Sequence, residues 1–309
     1  MTQAKRFDVP VAFFVFNRPD LTRMVFDVIS QIKPSKLFLI ADGPRTHIHG
    51  ETEKVAEVIR IFDSIDWPCE VYTDFSETNL GCKIRIASGV SWVFKHVNKA
   101  ILLEDDCLPS LPFFEFCREM LILYKDDSRV FSVSGSNFCD PLEDYGHTFS
   151  RYSLMWGWAT WADRWSKYVL EPKDSSKVIR DTWGLKHPLV LYYWLRIFKN
   201  LTNGEIDTWD YQWILTGWRE SGLTCRPSHN LVENLGFRAD ATHTISSNTF
   251  VSVSANHFLC DYSRPLTPVE PNRLIEEVDE KKWAQINFRS ILLMVFPILG
   301  KTQKLIRRD

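Results

Sequence analysis

The spacing of apolar positions changes several times along this chain, and each change predicts an element. Val9 to Phe16 is a continuous apolar run, long enough for a strand buried on both faces. It stops at Asn17-Arg18-Pro19-Asp20, where Pro19 suits a first helical turn, and Leu21, Val25, Val28, Ile29 and Ile32 then recur at helical spacing. Lys36 to Ala41 reads as a second strand ending in Asp42-Gly43-Pro44, and Val55, Val58, Ile59, Phe62 and Ile65 mark a second helix. Cys69 to Thr73 predicts a third strand, Asn79-Leu80-Gly81 a turn, and Cys82 to His96 a third helix. A fourth strand runs from Ala100 to Leu103 and opens into Glu104-Asp105-Asp106.

Strands alternating with helices describe an α/β protein with a mainly parallel sheet and right-handed crossovers. Ligands of such sheets bind outside the C-terminal strand ends. Asn17-Arg18, Asp42 and Glu104-Asp105-Asp106 all fall at that edge. Beyond Leu111 the pattern loosens. Phe113 to Leu123 predicts a helix, Val130 to Val133 a strand, Pro188 to Leu201 another helix and Thr224 to Pro227 another strand. Between them lie the aromatic stretches Met155–Trp161 and Asp207–Trp213. No internal repeat or long linker divides the chain, so its 309 residues read as one compact body over 1–270 with a tail over 271–309.

Composition changes this picture little. A net charge of −2 gives no electrostatic case for nucleic acid. Twelve tryptophans suit stacking against sugars or bases, although core packing could absorb them. The seven cysteines are odd in number and form no CxxC pair, so neither a disulfide framework nor a zinc site is expected. Met1 to Asp8 is polar, unlike a signal peptide or anchor, and a reducing cytoplasmic setting fits.

The chemistry centres on the acids at the end of the fourth strand. Unpaired buried charge is costly, so such carboxylates belong where the chain meets solvent or a cation. Hard oxygen ligands of this kind suit Mg²⁺ or Mn²⁺ carried in with substrate phosphates, and the bland alternative is a solvated acidic turn. No GxGxxG follows the first strand and no GxxxxGK[ST] occurs, which argues against a dinucleotide oxidoreductase or a P-loop NTPase. Arg18 could instead cap or salt-bridge a loop, and Asp42 could simply end its strand at a Gly-Pro turn.

With these residues in place, the sequence resembles nucleotide-sugar glycosyltransferases of the GT-A fold, in particular the inverting N-acetylglucosaminyltransferase I type and related bacterial enzymes. The likeness runs motif by motif over roughly Val9 to Thr244. Leu103-Glu104-Asp105-Asp106 followed by Pro112-Phe113-Phe114-Glu115 resembles the family's acidic metal motif and next helix. Phe16-Asn17-Arg18-Pro19, Ala41-Asp42-Gly43, and Asn79-Leu80-Gly81 with Lys83 and Arg85 resemble donor-binding segments. Gly157-Trp158 resembles the floor of the sugar and acceptor site, beside Trp156. Trp209-Asp210-Tyr211-Gln212-Trp213 resembles the segment of the catalytic base, but the family's paired acids are here Asp210-Tyr211 with Asp207 three residues earlier. Either aspartate could also cap the helix that begins there. His243 matches a late histidine that meets metal or diphosphate.

The resemblance implies a three-layer α/β/α sandwich that transfers a sugar, with inversion, from a nucleotide-sugar donor, a UDP-sugar first among them. The acceptor would be a glycan or lipid-linked hydroxyl in cell-surface polysaccharide synthesis. Asp106 would be the direct ligand of Mn²⁺ or Mg²⁺ with His243, Glu104 and Asp105 would lie near the donor, and Asp210 would be the base with Asp207 in reserve. A sugar nucleotidyltransferase and a non-catalytic carbohydrate-binding protein remain as alternatives. Ile291 to Leu299 with Lys301, Lys304, Arg307 and Arg308 is too short to span a bilayer, which leaves peripheral contact with the inner face of the membrane or a docked terminal helix.

Overall fold

A computed structural model describes residues 7–139, 146–184, 187–236, 268–282, 284 and 286. In chain order the elements are β1 (Val11–Val15), α1 (Pro19–Ile32), β2 (Lys36–Ala41), α2 (Glu51–Ile61), β3 (Glu70–Phe75), α3 (Gly81–Val93) and β4 (Lys99–Glu104). There follow β5 (Cys107–Pro109), α4 (Leu111–Leu123), β6 (Val130–Ser134), β7 (His147–Ser150), β8 (Trp158–Trp161) and α5 (Ala162–Trp165). The last described elements are α6 (Ser175–Trp183), α7 (Pro188–Thr202), α8 (Asp210–Arg219), β9 (Leu223–Pro227), β10 (Val232–Asn234) and α9 (Arg273–Lys282).

Eight strands form one sheet in the order β3-β2-β1-β4-β8-β6-β9-β7, and β10 pairs with β5 as a separate ribbon. The half from β3 to β4 is parallel throughout. β8 then runs antiparallel to both β4 and β6, β9 is parallel to β6, and β7 closes the far edge antiparallel to β9.

Because side chains alternate across a strand, continuous apolar strands must bury both faces. Val11, Phe13 and Val15 of β1, Leu37 and Leu39 of β2 and Ile101 and Leu103 of β4 pack into one core with α1, α2 and α4. Ala12 and Phe14, Phe38 and Ile40, and Ala100 and Leu102 pack into a second core with α3, α6, α7 and α8. The molecule is therefore a three-layer α/β/α sandwich, the layering that the resemblance implies, on the mainly parallel sheet that the apolar pattern predicts.

One element of the sheet that the apolar pattern does not predict is β8. Trp158 joins the second core while Ala159 and Trp161 join the first, so its residues alternate between two apolar faces. With both faces apolar, the period of two leaves no trace in the sequence. The C-terminal region departs similarly, because α9 docks on the far edge of the sheet through charge. Arg226 on β9, fully buried, pairs with the fully buried Asp279, and Arg151 pairs with Glu276 (2.5 Å), while Arg273 and Glu280 pair within the helix (2.6 Å). Residues 287–309, which carry the basic apolar tail, lie outside the described residues. Among the described residues no helix is long and apolar enough to cross a membrane.

Candidate active site

The parallel half delivers four loops to one edge: β1–α1 with Asn17-Arg18, β2–α2 with Asp42 and Arg45, β3–α3 with Asn79 and Gly81, and the turn after β4 with Glu104-Asp105-Asp106. Together they line a cavity of about 370 Å³, to which Cys82, Arg85 and Asp207 also contribute. That volume lies in the range of small-molecule sites.

One end of the cavity is acidic. Glu104 closes β4, and burial, then the charges of Asp106, Asp105 and Asp210, push its carboxyl well above the usual range. Asp105 is pushed up to about 7, by burial first and the Asp106 charge second, against the pull of Arg18. Arg18 is the counter-charge, with Nη1 donating to Asp106 Oδ2 at 3.0 Å and Asp105 Oδ1 at 3.5 Å. The Phe16 backbone N–H also donates to Asp105 Oδ2 (3.3 Å).

The β5–β10 ribbon, which sequence periodicity misses because its strands are only three residues long, brings a later turn to the same acids. Leu235 N donates to the Asp106 carbonyl at 2.7 Å. A Cβ on Gly236 would stand 2.5 Å from Asp106 Oδ2, so a side chain there would have to displace that carboxylate. His243 follows this turn and lies outside the described residues. Among the described residues no group of three or more His, Cys, Asp or Glu could hold a metal ion unaided.

The other end is a structural clasp. Asp42 holds the Asn79-Leu80-Gly81 loop, and Arg85 ties β2 to β3 by donating to the carbonyls of Ala41 (3.1 Å) and Asp74 (2.6 Å). Asn17 donates to the buried Glu51 (2.8 Å), which also receives a fork from Arg45. Arg45 holds the Glu51 carboxyl down to about 2. Arg45, which lines the cavity, and Glu51, which holds it, are features that the apolar pattern passes over, since it starts the second helix at Val55. The signal available was a cation three residues beyond Asp42 in a Gly-Pro turn.

The remaining expected residues separate. Lys83 does not line the cavity and pairs with Glu171 (2.6 Å). Asp207 lies on the cavity wall, exposed, with no hydrogen-bond partner among the described residues. Asp210 begins α8, where its Oδ1 accepts from the Thr208 hydroxyl and from Tyr211 N (2.9 Å). Its charge bears on Glu104 and on Cys82, which places it near the acidic end.

The expected aromatic floor meets rings engaged in packing. Trp158 and Trp209 are each 3% exposed and stack on one another at 5.6 Å. Trp156 is half-buried, edge-on to Phe138 at 5.3 Å. Gly157 has φ +63, and a Cβ there would stand 2.7 Å from Val232 Cγ2, so its missing side chain makes room for the ribbon.

No family model matches the chain, and no curated protein matches it. Among solved structures, UTP-bound UGPase from Acinetobacter baumannii is similar over 71% of this chain and 85% of its own, at 7% identity and a TM-score of 0.34. A likeness that slight shows no shared function.

Proposed function

We propose that this protein is a glycosyltransferase that moves a sugar, with inversion, from a nucleoside diphosphate-sugar to an acceptor hydroxyl. The observation that carries the reading is the division of one cavity: a clasped, cation-bearing end at β2 and an acid-rich end at β4, with the carboxylates of Asp207 and Asp210 beside it. In this reading the nucleoside lies over β1 and β2 and the diphosphate reaches the acids. Residues 1–270 form the catalytic body.

The acidic end fits a divalent cation. Glu104, Asp105 and Asp106 supply hard oxygens around the single guanidinium of Arg18, and burial first, then the neighbouring acids, raises the carboxyls of Glu104 and Asp105. Mn²⁺ or Mg²⁺ typically takes one or two protein carboxylates and completes its shell with phosphate oxygens and water. Such an ion, held by Asp106, would neutralise charge on the departing diphosphate. Arg18, beside the same acids, adds positive charge on that side.

Direct displacement at the anomeric carbon needs a base to accept the acceptor's proton as the bond forms, an effect typically of ~10²–10⁴-fold. Asp210 is the proposed base, oriented by Thr208 and by its own helix start, and the open carboxylate of Asp207 is the alternative. A base beside the acids favours a hydroxyl nucleophile. The rival nucleotidyltransferase reaction uses a sugar phosphate, already anionic, and favours a glycine-rich basic loop after β1, where Phe16-Asn17-Arg18 has no glycine.

Product analysis decides the matter. Nucleoside diphosphate released from a nucleotide-sugar panel with Mn²⁺ or Mg²⁺ supports transfer. Pyrophosphate released from nucleoside triphosphate and sugar phosphate would overturn it, and sugar binding without turnover would favour the carbohydrate-binding alternative. Asp210→Asn should lose nearly all transfer and still bind donor. Collapse in Asp207→Asn with near-normal Asp210→Asn would move the base, and a retained anomeric configuration would reject the mechanism.

A further inference from the structure

The hydrogen bonds of Asp42 are fully committed within the chain. Oδ1 accepts from the backbone N–H of Gly43 (2.9 Å) and Leu80 (2.9 Å), and Oδ2 from Asn79 Nδ2 (3.0 Å) and Gly81 N (3.0 Å). A carboxylate offers about four lone-pair sites, so these four donors fill it. Asp42 therefore shapes the cavity rather than reading a ligand in it.

What Asp42 holds in place is better suited to reading. Asn79 donates its amide hydrogens to Asp42 Oδ2 and to the Gly43 carbonyl (2.9 Å). Both partners can only accept, which fixes the orientation of the amide. Asn79 Oδ1 is left without a partner among the described residues, on a side chain that lines the cavity. Arg45 is its counterpart. Nε and Nη2 fork onto Glu51 (2.5–3.2 Å), and the guanidinium lies over Phe16 at 5.5 Å. Nη1 has no hydrogen-bond partner among the described residues, although Arg45 also lines the cavity. The Asp42 charge bears on Arg45, so the clasp lies close to both groups.

We infer that Arg45 Nη1 and Asn79 Oδ1 select the nucleobase of the donor, taking a ring that presents a carbonyl next to an N–H. Uracil does so at O4 and N3, and guanine at O6 and N1. Cytosine and adenine present the reverse, an amino group next to a bare ring nitrogen, which would set donor against donor and acceptor against acceptor. The position is consistent with this role. β2 is two strands from β4, roughly 10 Å at about 4.8 Å per strand, comparable to the span between the base and diphosphate of a nucleotide. The inference rests on the donor reading above and names the determinant of base choice within it.

The test is calorimetric titration of the full chain with UDP, CDP and N3-methyl-UDP in the presence of Mn²⁺. UDP should bind about ten-fold or more tighter than CDP, because a mismatched buried polar pair costs ~1–3 kcal/mol. N3-methyl-UDP should bind like CDP, a readout that needs no variant. Arg45→Met and the milder Arg45→Lys should both bring the UDP-to-CDP ratio toward one. A merely structural Arg45 would weaken both nucleotides alike and keep the ratio, which would overturn the inference. So would equal affinities of the unaltered chain for UDP and CDP. Failure to bind either nucleotide would reject the donor reading itself, and this inference with it.

Discussion

Two clusters of charge sit in this protein, and they are built on opposite plans. Under α9, Arg151 and Arg226 meet the buried carboxylates Glu276 and Asp279, and within the helix Arg273 meets Glu280. At the end of β4, Glu104, Asp105 and Asp106, with Asp207 and Asp210 nearby, face Arg18. The first cluster matches opposite charges one against another. The second gathers like charges around a cavity. Desolvating a charge is costly in either place, so the first lowers that cost internally and the second leaves it to be lowered by a cationic ligand. A like-charge cluster that opens on a cavity is thus a candidate site, while an equally buried matched cluster is a fastening.

The sharpest way to break this contrast is to remove one acid from each. Asp106→Asn should lower transfer by about 10³-fold, the several kcal/mol that charge stabilisation at a departing diphosphate supplies. Its melting temperature should stay at or above that of the unaltered chain, because a repulsion is relieved. A cooperative loss of fold in this variant would show the acids to be structural. Arg226→Met, by contrast, should cost about 3–5 kcal/mol in denaturant unfolding by stranding Asp279, and leave turnover per folded molecule unchanged. Arg226→Met with Asp279→Leu should recover most of that loss, and failure to recover would mean that the pair itself, rather than the stranded charge, holds α9.

A smaller effect lies in pH. Asp279 is pushed up to about 6, by burial first, so the native state holds its proton more firmly than the unfolded chain does. This contribution is fully present below about pH 4 and is lost as pH rises through about 6, roughly 1–3 kcal/mol in all. Glu51 has the opposite sign. Held down to about 2 by Arg45, it contributes stability above about pH 4.5 that is lost as pH falls through about 2. Melting curves of Asp279→Asn and Glu51→Gln should each remove one limb, and an unchanged profile in either would contradict its assignment. Smallest of all, Lys83→Ala breaks only a rim ion pair with Glu171 and should shift stability by less than about 0.5 kcal/mol, with nucleotide affinity unchanged. Loss of nucleotide affinity in this variant would extend the site beyond the cavity.

The sequence shows one of these clusters and hides the other, for a physical reason. β1, β2 and β4 are local: each is a continuous apolar run followed by polar residues, so Arg18, Asp42 and Glu104-Asp105-Asp106 could be placed at one edge from spacing alone. Matched burial leaves no such pattern. Arg226 sits in a short strand and Asp279 in a helix with few buried apolar positions, 53 residues apart, and only tertiary packing shows that both are dry. The same limit applied to β8, whose two apolar faces erase its alternation, and to Glu51, which reads as an ordinary acid on a helix face. Asp42 was legible in position but not in use, because three of the four donors that occupy it come from a loop 37 to 39 residues later.

The sheet order also bears on how the chain is made. β3, β2, β1 and β4 pair only with one another until β8 arrives, and all four lie between Val11 and Glu104. A nascent chain emerging from the ribosome therefore carries the complete parallel half early, since domains assemble from the N-terminal side during synthesis. One of its two outer strands is then β4, with Ala100, Ile101 and Leu102 waiting for Thr160, Ala159 and Trp158 to pair alongside. A chain halted between Glu104 and Trp158 presents an apolar, hydrogen-bond-hungry edge, the form most prone to pair with a neighbour. Charged residues beside such an edge blunt that pairing, so Glu104, Asp105 and Asp106 serve as gatekeepers of the unfinished chain before there is a complete site for them to serve.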